Sequence, residues 1–312
     1  MTTKNDSPAH EAIVDGLTLT ESESEVVAEL ADDLVPHFLG GESPVSPGLL
    51  DAATRRLPPR VSGWLQARGA RRSSHALVIR NCPVRPAELG ATPLHWVDAE
   101  TTSSQFHACV LLLLARPLGR AFGWKSQQNG RVVTDVVPAP GLEESLVSSS
   151  SRAELGWHSE DAFSDDRADF VALSCLRAAE GGATTVSFIE GKQLTDEVLQ
   201  TLTEPRFVIA ADDAHDLAST ATPLVPLVKG GNPYQIRVDR DFTSAAEGDT
   251  DAALALETLF EAIDQNVQDL ALVPGDVAFI DNTLAVHGRR SFTPRFDGTD
   301  RWLKRVNIRA HN

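Results

Sequence analysis

A histidine and a glutamate stand two positions apart in segment 157–160, and a second histidine, His287, lies far along the chain. If this segment is a β-strand, His158 and Glu160 project from the same face, because side chains alternate along a strand, and Asp161 points away. Two imidazoles and one carboxylate can hold a non-haem Fe(II) and leave positions open for a co-substrate and O₂. The pattern therefore predicts an iron site formed by His158, Glu160 and His287.

Other interpretations of these three residues exist. A His-x-Glu pair is a weak signal, because about one His-x-Asp/Glu match is expected by chance in an acidic chain of this length. A lone histidine such as His287 on an apolar strand is often a packed core residue, and the same triad could serve a zinc hydrolase. A hydrolase, however, has no need of the two arginines at 301 and 305. A non-catalytic cupin-like binding protein would have lost the ligands, and all three are present.

Four stretches around these residues resemble the Fe(II)/2-oxoglutarate-dependent oxygenases, specifically the clavaminate synthase-like family and its arginine β-hydroxylase and asparagine oxygenase branch. They cover residues 128–141, 157–163, 169–177 and 286–305, within a resemblance that runs from about 126 to 309. The resemblance implies a double-stranded β-helix (jelly roll) and an amino-acid hydroxylase that uses Fe(II), 2-oxoglutarate and O₂. Related halogenases replace the metal carboxylate by a small residue, so Glu160 predicts hydroxylation rather than halogenation.

The resemblance also implies which residues hold the two carboxylate-bearing small molecules. Arg301, fourteen residues after His287, matches the arginine that binds the far carboxylate of 2-oxoglutarate, and a planar guanidinium meets a carboxylate with two parallel bonds. Thr184 matches a hydroxyl that supports the same carboxylate, with Thr185 as the alternative if the register slips by one. Arg305 matches the residue that holds the α-carboxylate of an amino-acid substrate. The alternative for either arginine is a surface charge on a strand.

An amino-acid substrate also presents an ammonium group. The resemblance assigns this group to Gln127 together with Glu160, whose second oxygen is not needed by the metal. The neighbouring Gln128 or Asn129 could take the role of Gln127 instead.

Asp239 and Asp241 carry the information on the side chain of the substrate. Two carboxylates this close favour a cation between them, because one of them would otherwise be pushed to protonate. They match the pair that clamps a guanidinium in the arginine hydroxylase, whereas a solvated acidic loop is the alternative. We therefore expect hydroxylation of a free basic L-amino acid, arginine ahead of lysine, at C3. Two alternatives are left open: a neutral substrate such as asparagine or citrulline, and desaturation in place of hydroxylation.

Composition excludes several classes of partner. A chain of 312 residues with a formal net charge of −16 is poorly suited to nucleic acid or an anionic membrane. The longest apolar run, 108–115, is too short to span a bilayer, and no basic segment precedes an apolar stretch at the start. Three cysteines lie among apolar neighbours and are predicted to be small core residues: Cys82, Cys109 and Cys175. We expect a cytoplasmic enzyme with a small-molecule substrate, and no feature indicates a protein partner.

The elements that must position these residues divide the chain into two parts. Residues 1–17 are predicted to form a flexible tail and 18–312 a single domain, helical over 18–125 and a jelly-roll core over 126–312. Predicted helices cover 18–39, 48–68 with an interruption near 58–59, 103–122 and 249–267; predicted strands cover 75–80, 131–137, 169–176, 183–189, 206–210, 234–238, 277–281 and 301–308. The aperiodic segment 138–153 precedes the predicted metal ligands and is either an active-site lid or an ordinary surface loop.

Overall fold

The computed structural model describes residues 14–40, 44–190, 193–211, 223–231 and 233–311. Its helices are α1 (Glu21–Leu34), α2 (Pro47–Thr54), α3 (Pro59–Arg71), α4 (Pro86–Leu89), α5 (Thr102–Ala115), α6 (Asp196–Leu202) and α7 (Thr250–Gln265). Its strands are β1 (Val14–Thr18), β2 (Ala76–Arg80), β3 (Gly119–Phe122), β4 (Val133–Val136), β5 (Leu155–His158), β6 (Phe170–Arg177), β7 (Thr184–Ser187), β8 (Phe207–Ile209), β9 (Val228–Lys229), β10 (Gln235–Ile236), β11 (Thr243–Ala245), β12 (Gln268–Leu270), β13 (Val277–Asp281), β14 (Val286–Arg289) and β15 (Trp302–Ala310).

Two β-sheets form the centre of the protein. The larger sheet has the strand order β1-β2-β13-β6-β15-β3, with β4 also paired to β15, and the smaller has the order β12-β7-β14-β5. Residues of both sheets, among them Leu173, Ile280 and Val186, share one buried apolar cluster, so the sheets pack face to face. This is the predicted jelly-roll core.

The N-terminal helices cover the outer face of the larger sheet, as predicted. Helix α1 begins with a capping box, in which the Thr20 hydroxyl accepts from the backbone N–H of Glu23 and the Glu23 carboxylate accepts from that of Thr20. Helix α5 contacts α1 on one side and strands β6 and β15 on the other. This burial on both sides explains why the middle of α5 is apolar all round.

Helices α6 and α7 cover the outer face of the smaller sheet. Trp157 of β5 and Val286 of β14 share a buried cluster with Leu259 and Ile263 of α7. The Trp157 indole also donates a hydrogen bond of 2.8 Å to the carboxylate of Asp264. Apolar packing against α7 therefore fixes the outer face of the strands that carry the two predicted metal histidines.

Two boundaries predicted from the sequence are wrong. Residues 14–17, assigned to the flexible tail, belong to β1, which pairs in parallel with β2; residues 1–13 of that tail lie outside the described residues. The helix predicted over 103–122 ends at Ala115, and residues 119–122 form β3, which pairs with β15. Pro117 cannot continue the helix, and pairing with a sheet edge then decides the conformation of the residues that follow.

The segment 138–153 is irregular and is held by its own backbone. The backbone N–H groups of residues 151, 152 and 153 all lie within 3.1 Å of the carbonyl oxygen of Glu143, and Ala139 N–H donates to Ser149 O at 3.0 Å. Leu146 and Val147 of this segment line the cavity that contains the predicted metal ligands. The assignment of this segment as a lid stays a prediction.

Cys82, Cys109 and Cys175 are free and buried, as the sequence predicts. Among the described residues, none of the helices combines the length and apolar character needed to cross a membrane.

Candidate active site

The structure brings His158, Glu160 and His287 together between the two sheets. Their candidate ligand atoms all lie within 4.8 Å of one another, and the two imidazole centroids are 4.5 Å apart. Glu160 Oε2 lies 3.7 Å from His158 Nε2 and 3.4 Å from His287 Nε2. The oxygen is buried and accepts no hydrogen bond within the described part of the chain. A carboxylate oxygen left without a donor between two imidazole nitrogens fits a metal ion.

The backbone around the triad explains this convergence. His158 ends β5 directly opposite His287 of β14 in the strand register. The prediction that His158 and Glu160 lie on one strand is wrong: β5 ends at His158, and Glu160 lies in the turn after it, where Asp161 adopts a left-handed conformation with φ of 54°. Asn282, fully buried, fixes this turn: its amide accepts from Glu160 N–H at 2.7 Å and donates to Glu160 O at 3.0 Å.

Hydrogen bonds also orient the first histidine. His158 Nδ1 lies 2.9 Å from Gly156 O and donates to it, so Nε2 is the ring nitrogen that faces Glu160. Burial lowers the pKa of His158, but Glu160 and Asp239 outweigh it and raise that pKa to about 9. Burial and the neighbouring His158 lower the pKa of His287 to about 4. The two imidazoles therefore differ in their charge surroundings, although they share one carboxylate.

Arg305, which is predicted to bind the α-carboxylate of the substrate, pairs with the predicted metal ligand Glu160. Its side chain projects from β15 toward the cavity, and Nη1 lies 2.7 Å from Glu160 Oε1. Burial raises the pKa of Glu160, but Arg305 and the two histidines outweigh it and hold that pKa well below its usual range. Thr134 of β4 is a neutral partner, with its hydroxyl 3.4 Å from Arg305 Nε. A carboxylate of an amino acid could share this guanidinium.

Arg301 and Thr184 also meet, at the end of the cavity away from the acidic residues. Arg301 Nη2 donates to Thr184 Oγ1 at 3.2 Å, which favours Thr184 over the alternative Thr185. Arg301 precedes β15 rather than lying on it, and only 7 % of it is exposed. Burial and then the charge of Arg289 lower the pKa of Arg301 to about 10. A buried guanidinium beside a hydroxyl is a site for a carboxylate.

Gln127 lines the same cavity, whereas Gln128 is occupied elsewhere. The Gln128 side chain donates to Asp135 O at 2.9 Å and accepts from Asp135 N–H at 3.1 Å. The structure therefore favours Gln127 among the candidates for a contact with the substrate.

Asp239 and Asp241 both line the cavity, at its other end. They lie on a turn rather than on a regular strand: Asp239 Oδ1 accepts from the backbone N–H groups of Asp241 and Phe242 at 2.9 and 3.1 Å. Neither carboxylate forms an ion pair with a residue of the described ranges, and burial raises the pKa of Asp239. Asp241 is the more exposed of the two.

Sequence reasoning missed two residues that shape this site, Asn282 and Arg289. Asn282 lies in a polar turn between β13 and β14. Asparagine is common in turns for conformational reasons, so its presence there does not indicate a role in the site. Arg289 follows His287 by two positions on the same strand, and the alternation of side chains along β14 is the signal that could have placed it in the cavity.

Comparison with known families identifies the class of protein. Residues 62–307 match the model of the taurine catabolism dioxygenase TauD, TfdA family, which is most of the chain. The chain therefore belongs to this family. The predicted enzyme class, an Fe(II)- and 2-oxoglutarate-dependent dioxygenase, is confirmed.

Individual relatives within this family are amino-acid hydroxylases. The chain is 34 % identical to the enduracididine beta-hydroxylase of Streptomyces hygroscopicus, with 94 % of each chain covered. It is also 34 % identical to the L-ornithine/L-arginine 3-hydroxylase of Catenulispora acidiphila, over 94 % of this chain and 93 % of the relative. The structure of the non-haem iron oxygenase OrfP with Fe, succinate and (3S)-hydroxy-L-Arg is similar, with a TM-score of 0.87, 34 % identity and coverage of 95 % and 94 %.

Proposed function

We propose that this protein hydroxylates a free basic L-amino acid, arginine ahead of lysine, at C3, with conversion of 2-oxoglutarate and O₂ to succinate and CO₂. The observation that carries the proposal is the order of charges along the cavity. Across the smaller sheet, Thr184 of β7 with its partner Arg301 lies on one side, and His287 of β14 and His158 of β5 follow. Asp239 forms a bridge with His158 on the other side, and neither it nor Asp241 forms an ion pair within the described ranges. Relatives that act on ornithine, arginine and enduracididine support the same substrate class.

His158, Glu160 and His287 would hold Fe(II), with His158 Nε2 and Glu160 Oε2 as the donor atoms already turned toward each other. When bound, Fe(II) together with 2-oxoglutarate supplies activation of O₂, so that one oxygen atom goes to succinate and the other to the substrate. Arg301 and Thr184 would hold the far carboxylate of 2-oxoglutarate, which determines how its keto-acid end meets the metal.

The chain positions an amino acid through three groups. Arg305 would bind the α-carboxylate while it stays paired with Glu160, which keeps this buried cation compensated before the substrate arrives. Gln127 and Glu160 would accept from the ammonium group. Asp239 and Asp241 would bind the cationic side-chain terminus and thereby set the distance between that terminus and the metal.

The two alternatives outside the oxygenases explain less of this arrangement. A zinc hydrolase would leave the buried contact between Arg301 and Thr184 without a role, and a non-catalytic binding protein would not need the metal cluster. Within the oxygenases, desaturation begins with removal of the same hydrogen, and the mass of the product separates it from hydroxylation. Three free, buried thiols support the reducing cytoplasm as the location.

The experiment is incubation of the purified protein with Fe(II), ascorbate, 2-oxoglutarate and each amino acid in turn, with succinate and product mass as readouts. We expect succinate formation to depend on arginine or lysine, and a product one oxygen atom heavier. Faster turnover of asparagine or citrulline would contradict the cationic specificity and leave the oxygenase class standing. Absence of amino-acid-dependent succinate with every substrate would contradict the proposed function.

The cationic specificity has its own test, Asp241→Asn, because Asp241 is not needed to hold its turn. Citrulline has the shape of arginine without its charge. Loss of a hydrogen bond to a charged group typically costs about 1.5–3 kcal/mol, so kcat/KM for arginine should fall about tenfold or more relative to citrulline. Asp251→Asn, an exposed aspartate in the first turn of α7, is the control and should leave the ratio unchanged. An unchanged ratio in Asp241→Asn would contradict the clamp.

A further inference from the structure

Arg289 is a buried arginine that the proposed chemistry does not yet use. It lies on β14 two residues after His287, so both side chains face the cavity, and only 3 % of it is exposed. In the strand register Arg289 stands directly opposite Thr184 of β7. Side chains opposite each other on neighbouring strands are in contact range, so Arg289 borders the place where Thr184 meets Arg301.

The guanidinium of Arg289 also holds the end of the 138–153 segment. Nη1 donates to Ser151 O at 2.8 Å, and Nη2 donates to Ser150 Oγ at 2.9 Å and to Ala153 O at 2.8 Å. These bonds use neutral acceptors, so they occupy Nη1 and Nη2 without balancing the charge of the guanidinium. The third nitrogen, Nε, is buried and has no partner among the residues described.

Two buried arginines are thus neighbours and neither is paired with a carboxylate in the parts of the chain that the structure describes. This is costly, because a buried charge is stable only when a counter-charge or strong hydrogen bonds compensate it. An anion bound beside Arg301 would compensate both guanidinium groups at once. It would thereby also stabilise Arg289 in the position in which it holds residues 150–153.

We propose that Arg289 is a positioning residue that couples the 138–153 segment to the co-substrate, so that 2-oxoglutarate and the ordered segment stabilise each other. The inference rests on the proposed function, because it takes 2-oxoglutarate as the anion. Such coupling is reciprocal: if the co-substrate orders the segment, the ordered segment raises the affinity for the co-substrate by the same factor. Residues 146 and 147 of the same segment line the cavity, so its order also affects the space for the amino acid.

The test measures two quantities on each variant in the Fe(II) form without O₂. The first is the Kd for 2-oxoglutarate, from its visible charge-transfer absorption with Fe(II). The second is the rate of trypsin cleavage after Arg152, an exposed residue within the segment, with and without 2-oxoglutarate. Wild-type protein should be cleaved more slowly when 2-oxoglutarate is present.

Arg289→Met keeps the length of the side chain and removes its charge and hydrogen bonds. We expect its Kd for 2-oxoglutarate to rise about tenfold or more, and cleavage after Arg152 to become faster and insensitive to 2-oxoglutarate. Arg289→Lys keeps the charge but cannot hold three acceptors in one plane, so it should show fast cleavage with a smaller rise in Kd. The lysine variant also serves if the methionine variant does not fold.

Arg290→Met is the matched control, because the adjacent Arg290 faces outward and bonds to Asp269 and Glu154 on the surface. Both of its readouts should equal those of wild type. A wild-type Kd in Arg289→Met would overturn the proposal, and so would a raised Kd with cleavage that still responds to 2-oxoglutarate. Failure of wild-type protein to give the charge-transfer absorption would instead contradict the proposed function.

Discussion

The two ends of the cavity carry opposite charges, and neither end contains an ion pair among the described residues. At one end Arg289 and Arg301 are buried and form no ion pair with a described carboxylate; at the other, Asp239 and Asp241 form none with a described arginine or lysine. The middle differs from both, because Glu160 is paired there with Arg305 at 2.7 Å. Charged side chains in a cavity that no described residue pairs with indicate where the charges of its ligands belong.

The comparison also separates the roles of three arginines that share one cavity. Arg305 is compensated before any ligand binds, so a substrate carboxylate has to share it with Glu160. Among the described residues, Arg301 has a hydroxyl as its one hydrogen-bond partner, so a carboxylate that binds there gains the full interaction. We therefore expect 2-oxoglutarate to depend more strongly on its arginine than the amino acid does on Arg305.

The largest effect is expected in the middle of the cavity. His287→Ala removes one of the two imidazoles and leaves Glu160 Oε2 with a single nitrogen neighbour. Succinate formation should be abolished and the Fe(II) content of the purified protein should fall, while the thermal unfolding transition is retained. His37→Ala, an exposed histidine, is the control. Near-normal turnover of His287→Ala at equal iron concentration would show that His287 is not a ligand.

The next largest effect is expected at the positive end. Arg301→Ala leaves Thr184 without its cation, and loss of one partner of a buried charge-assisted pair typically costs about 2–5 kcal/mol. The apparent requirement for 2-oxoglutarate should rise by well over tenfold, whereas the KM for the amino acid should change far less. The exposed Arg295 gives the control, Arg295→Ala. Saturation of Arg301→Ala at the wild-type concentration would mean that another cation anchors the co-substrate.

The sequence predicts the position of a functional residue where that position depends on local spacing along the chain, and fails where it depends on distant contacts. The types and spacing of His158, Glu160 and His287 indicated the metal cluster, whereas the position of Arg305 in the cavity was implied by the resemblance to the oxygenase family. The turn at Asp161, with its positive φ, could not be predicted, because it depends on the buried amide of Asn282, more than a hundred residues away in sequence.

The same reason explains the errors in the fold. The apolar run of α5 is visible in the sequence, whereas the strand at 119–122 exists because β15 offers it an edge. Likewise, residues 14–18 carry no strong strand signal and are ordered by pairing with β2. Long-range pairing overrides weak local preference, and a single sequence does not show such pairing.

The smallest effect is expected at the negative end of the cavity and tests the position of the Asp241 carboxylate. A Cβ at Gly156 would lie 2.8 Å from Asp241 Oδ2, so Gly156→Ala should displace this carboxylate, which is the mobile end of a side chain, without unfolding the protein. The Gly156 carbonyl still orients His158, so Fe(II) binding should stay unchanged. We expect kcat/KM for arginine to fall severalfold, about 1 kcal/mol, and that for citrulline to be nearly constant.

Two further variants identify what the added methyl group moves. Gly63→Ala, where nothing lies within 4 Å of the new atom, should behave as wild type. In an Asp241→Asn background, Gly156→Ala should cost arginine almost nothing more, because residues that act through one contact are not additive. An equal loss in both backgrounds would show that Gly156 affects turnover through the backbone or His158 rather than through Asp241.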